Sequence, residues 1–82
     1  MAAADLNRLR WRARRGMKEL DVLFARWLDL HGPTSTPPEL EVFERLLACE
    51  DSDLWPWMLG RGEPKDPELR ALVGQIRTPD RA

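Results

Sequence analysis

The apolar positions of this chain fall into short groups, and within each group the spacing is helical. Leu6, Leu9 and Ala13 share one face of a first segment, predicted from near Asp5 to Arg14 with Asp5 as N-cap and Trp11 off to one side. Met17, Leu20, Phe24, Trp27, Leu28 and His31, widened by Leu23, define a second helix from Met17 to His31. Gly32-Pro33 stops it, glycine as the C-terminal cap and proline as a residue that cannot continue the ladder. Thr36-Pro37-Pro38-Glu39 reads as a capped start with Glu39 completing a capping box, and the third helix runs from Pro37 to Cys49. Its inward residues are Leu40, Phe43, Leu46 and Leu47.

Asp53 is placed to cap a fourth helix, which puts Pro56 at its third position and turns Leu54, Trp57 and Met58 inward before Gly60 ends it. After a loop over 60–65, Asp66-Pro67-Glu68 opens a fifth helix, with Leu69, Leu72, Val73 and Ile76 at i, i+3, i+4 and i+7, closed by Thr78-Pro79. No run combines β-branched enrichment with strict alternation, so no strand is predicted. The expected fold class is all-α, a small bundle of about five short helices.

Length restricts this to one domain, residues 1–82, with 78–82 expected to fray. Hydrophobic residues make up 43% and charged residues 33%, a balance that suits a folded domain. The formal net charge of −1 removes any global drive toward nucleic acid or membrane. Its distribution is uneven, however. Arg8, Arg10, Arg12, Arg14, Arg15 and Lys18 make the first part basic, while Glu39, Glu41, Glu44, Glu50, Asp51 and Asp53 make the middle acidic. The single Cys49 excludes an internal disulfide and fits a reducing compartment. No apolar run is long enough for a signal peptide or a membrane span, so a cytoplasmic location without direct membrane insertion is expected.

The residues argue against catalysis. The only histidine, His31, lies at a helix end, where an imidazolium complements the helix dipole, and Cys49 follows Leu46-Leu47-Ala48 as a small core filler. One cysteine and one histidine cannot build a zinc site, and Gly60-Arg61-Gly62 lacks the lysine and preceding strand of a phosphate loop. The expectation is a binding protein and not an enzyme. A basic helix followed by a tight turn also admits an antitoxin-like or nucleic-acid-binding helical regulator. The net charge and the acids Asp21 and Asp29 on the second helix weigh against that alternative, and no nucleic-acid partner is expected.

The stretch Arg14-Arg15-Gly16-Met17-Lys18-Glu19-Leu20-Asp21 has two structural explanations. In one, Gly16 ends the first helix, Arg14 and Arg15 sit at its C-terminal end, and Glu19 at the third position of the next forms half of a capping box. In the other, a continuous helix pairs Arg15 with Glu19 at i, i+4.

The same stretch resembles the RGxxE signature of the SdhE family of succinate dehydrogenase assembly factors. The likeness extends from Trp11 through Phe43, Leu46-Leu47, Cys49, Asp51-Ser52-Asp53-Leu54-Trp55 and Trp57 to Gly62 and Pro64. The arginine-rich Arg10-Trp11-Arg12 departs from the family pattern. The resemblance implies a five-helix bundle that binds the flavoprotein subunit of succinate dehydrogenase, and of fumarate reductase where present, and promotes covalent attachment of FAD to a client histidine. It implies that Arg15, Gly16 and Glu19 face the client, with Arg14, Met17 and Asp21 beside them. FAD is then implied only through the client, with no cofactor bound stably by this chain, and the free protein is expected to be a monomer.

Overall fold

Two helix starts are written directly into side-chain hydrogen bonds. In a computed structural model, which describes residues 3–77 and side chains from residue 6 onward, Thr36 accepts the Glu39 amide at 3.4 Å while Glu39 accepts the Thr36 amide at 2.7 Å. This capping box launches α3. Asp66 Oδ1 likewise accepts the amides of Glu68 and Leu69 and launches α5. Both carboxyls are held below their ordinary pKa, chiefly by the backbone N–H that each accepts.

The order is α1 (Ala3–Arg12), α2 (Lys18–His31), a 3-10 turn (Gly32–Thr34), α3 (Pro37–Leu47), α4 (Asp51–Met58) and α5 (Pro67–Arg77). The expected all-α class holds, with no strand among the described residues. Leu9 and Ala13 from the first segment, Leu20, Phe24, Trp27 and Leu28 from α2, and Leu40, Phe43, Leu46 and Leu47 from α3 meet in one core. Leu54 and Met58 of α4 and Leu72, Val73 and Ile76 of α5 complete it. Phe43 organises the centre. It stacks on Trp27 at 4.8 Å and meets Phe24 edge to face at 5.9 Å. The Trp27 indole N–H donates to Gln75 Oε1 at 3.1 Å, and Arg26 donates to the Ile76 carbonyl at 3.1 Å, so α2 is fastened to the far end of α5.

Several boundaries differ from expectation for physical reasons. The first helix already includes Ala3 and ends at Arg12, so Asp5 lies inside it and does not cap it. Gly32 is the C-cap of α2, as expected, but it adopts an ordinary right-handed helical backbone, so positive φ is not its purpose. An added Cβ there would approach Leu6 Cδ2 to 3.2 Å, and the missing side chain is what lets α1 close onto α2.

The fourth helix begins at Asp51 after an extended Glu50, so Asp53 is not its cap and Pro56 sits at the sixth position. The carbonyl left without a donor is that of exposed Ser52, which water can reach. Gly60, at φ +76°, closes the helix: its N–H reaches the Trp57 carbonyl at 3.1 Å and the Arg61 N–H reaches Pro56 at 2.9 Å. The expected stop at Thr78-Pro79 lies outside the described residues.

Candidate functional site

The corner between α1 and α2 is built around a backbone reversal. After Arg12 the chain makes one last helical bond, Ala13 N–H to the Leu9 carbonyl at 2.9 Å, and then leaves the helix. Gly16 takes φ +87°, a conformation that glycine adopts without the Cβ penalty of other residues. Met17 is extended, serves as the N-cap of α2, and packs its side chain partly into the core. A continuous helix with an Arg15–Glu19 pair is therefore ruled out.

Arg15 is the centre of the corner, and it faces inward. Its guanidinium donates to the carbonyls of Leu47 at 2.7 Å and Cys49 at 2.6 Å, and its Nε donates to Asp51 Oδ1. Its backbone N–H donates to Asp21 Oδ1 at 2.7 Å. The side chain retains only 17% of its exposure. The sequence placed this cation at the C-terminal end of a helix, and that chemistry is present on a different helix: Arg15 serves the last carbonyl of α3, that of Cys49 just beyond it, and the acid in the first turn of α4. One residue thus ties α2, α3 and α4 together. Beside it the Cys49 thiol is pushed above its ordinary pKa, first by burial and then by the charge of Asp53.

The other predicted residues separate into two groups. Arg14, Gly16 and Glu19 are exposed, whereas Met17 and Asp21 are half-buried. Glu19 occupies the second position of α2, and Met17 makes no side-chain cap bond, so the half capping box on Gly16 does not form. The acid that answers the turn is Asp21. Beyond Glu19, the surface continues as a shallow groove of about 440 Å³ between α2 and α4, lined by Lys18, Glu19, Val22, Leu23 and Trp55. Val22 is 56% exposed there, and Trp11 on α1 is 74% exposed. Sequence reasoning did not single out Val22, which lies off the buried stripe of α2, and named Trp55 only within the family likeness.

Much of the bipolar charge pattern is consumed internally. Arg8 and Arg12 share Glu44, each at 3.3 Å, and Arg10 pairs with Asp29 at 2.5 Å. Arg14, Lys18 and Glu19 make no ion pair among the described residues. Among those residues, too, no group of three metal-ligating side chains converges, and no helix is long and apolar enough to cross a membrane.

Comparison with known proteins gives the family of the chain. Residues 7–80 match the family model described as the flavinator of succinate dehydrogenase. Among curated relatives, the FAD assembly factor SdhE of Xylella fastidiosa strain 9a5c is 47% identical over 74 residues, covering 90% of this chain and 76% of the relative. The FAD assembly factor SdhE of Pseudomonas putida is 46% identical over 69 residues, covering 84% and 82%. That of Shewanella oneidensis is 42% identical over 77 residues, covering 94% of both chains. With a family model spanning the packed helices and the Arg15–Gly16–Glu19 corner, this chain belongs to the family of succinate dehydrogenase flavinators.

Proposed function

We propose that this chain is an assembly factor that binds the flavoprotein subunit of succinate dehydrogenase and promotes covalent attachment of FAD to it. The corner between α1 and α2 is its docking face. The observation that carries this reading is the division at that corner: Arg15 is occupied inside the bundle, while Arg14 and Gly16 stand exposed at the turn and Lys18 and Glu19 stand exposed along the α2–α4 groove. A client segment meets charges of both signs and an apolar floor there. It also meets an open backbone at Gly16, where nothing lies within 4 Å of the place a Cβ would take.

The contribution of the bundle is positional. It holds the flavin-binding region of the client in the conformation in which the client's own histidine and FAD meet, and FAD reaches this chain only through that client. The same face serves the fumarate reductase flavoprotein, and the free chain is a monomer located in the cytoplasm.

Glu19 gives the test, because it is exposed and makes no side-chain bond within the described fold. Glu19→Arg changes stability by about 1 kcal/mol or less, the size of a first-turn dipole effect. Covalent flavin on the purified client, read as in-gel flavin fluorescence, falls about tenfold or more, as like charges oppose docking. A Glu19→Arg chain that supports flavinylation at the wild-type rate overturns the placement of the docking face.

A further inference from the structure

We infer that Arg15 and Asp21 serve the client from inside the bundle, as positioning residues that hold the docking corner and do not touch the client. This rests on the docking reading above and assigns the signature arginine a different task from the exposed Glu19 beside it.

The geometry is specific. Arg15 is fixed at both of its ends: its backbone N–H by Asp21 Oδ1 at 2.7 Å, and its guanidinium by the Leu47 and Cys49 carbonyls and the Asp51 carboxylate. The residue that follows is Gly16 at φ +87°, and the next is Met17, extended and packed against the core. The reversal is therefore clamped on both sides of its only unusual backbone angle. The Asp21 bond spans Gly16, Met17 and the first turn of α2, so it sets the angle at which Glu19 emerges beside Trp55 and Val22. Without the clamp the turn samples other angles, and apparent affinity falls with the fraction of molecules in the docking arrangement.

A carboxylate that contacts the client needs its charge, whereas a carboxylate that holds the Arg15 N–H needs only an acceptor oxygen. Asparagine keeps the oxygen and removes the charge; alanine removes both. The experiment uses the full chain with Asp21→Asn and Asp21→Ala. It measures hydrogen exchange of the Arg15 amide in the free protein, folded fraction by tryptophan fluorescence, and affinity for the purified flavoprotein subunit by calorimetry. The Arg15 amide is expected to be protected in wild type and Asp21→Asn and open in Asp21→Ala. Client affinity, corrected for folded fraction, is expected to stay within about threefold for Asn and to drop about tenfold or more for Ala, the equivalent of one charge-assisted bond.

Equal losses for Asn and Ala overturn the positioning role alone, because they show that the charge touches the client. Rapid exchange of the wild-type Arg15 amide overturns the clamp itself. A wild-type chain that has a protected Arg15 amide and does not bind the subunit overturns the docking reading, and this role with it. Should Asp21→Ala unfold, Asp21→Asn decides: retained affinity supports positioning, and lost affinity refutes it.

Discussion

Arg15→Ala removes three side-chain hydrogen bonds at once, and their surroundings set the cost. A bond to a charged group contributes about 1.5–3 kcal/mol. Simple addition overstates the sum, because the three bonds share one guanidinium and are lost together. Asp51 keeps 39% of its side-chain exposure, so its bond counts at the surface value of about 1 kcal/mol or less. The Leu47 carbonyl ends α3 and the Cys49 carbonyl follows it in the link to α4, and water replaces part of what they lose. The expected cost is about 2–4 kcal/mol, set against a total of about 3–5 kcal/mol for a small single core.

At about 4–8 °C per kcal/mol for a domain of this size, the melting temperature falls by about 10–30 °C. Urea unfolding followed by tryptophan fluorescence reads the difference directly, since Trp27 lies stacked on Phe43 in the core. Arg15→Lys keeps the charge but not the fork, and is expected to fall between wild type and alanine. A loss below about 0.5 kcal/mol for Arg15→Ala, the range of ordinary surface substitutions, refutes the clamp. The same numbers bear on function: reduced flavinylation by Arg15→Ala counts as a docking effect only after correction for the folded fraction.

Gly16→Ala is expected to cost about 1–2 kcal/mol from backbone strain alone, because its Cβ enters open space, and Gly16→Asn less, since asparagine tolerates this region; equal stability of all three in chemical denaturation contradicts the assigned φ. The lowered pKa values of Glu39 and Asp66 mean that the folded state binds protons more weakly than the unfolded chain. Their stabilisation is therefore present above the ordinary values of 4.5 and 3.8 and is lost as pH falls through the folded values below them. Urea midpoints measured from pH 7 to pH 2 should fall on the acid side, and less steeply in Glu39→Gln; an unchanged slope in that variant removes Glu39 from the explanation.

The helices were legible where local signals acted alone. α3 and α5 carry their caps and their apolar stripes within a few residues, and both begin where Thr36 and Asp66 place them. Sequence reasoning missed features that depend on partners distant in the chain. The α4 start was displaced because Asp51 is a first-turn acid engaged by Arg15, 36 positions away, and Asp53 therefore has no capping task. The purpose of Gly32 lies in the approach of Leu6, which no periodicity reveals. At the corner, the residue types and the turn were readable, but the direction of the Arg15 side chain was not. The opposite charges of the first and middle segments were its only trace, and they left the pairing open.

Two of the three acceptors of the Arg15 guanidinium are main-chain carbonyls, which every amino acid supplies. Substitutions at positions 47 and 49 therefore leave them in place, and no second change elsewhere can compensate for the loss of the arginine. A saturation mutagenesis survey of this chain would record an intolerant arginine whose two carbonyl acceptors leave no side-chain signature of the pairing. That pattern is ordinarily read as contact with another molecule. Here it arises from an arginine that serves its own backbone.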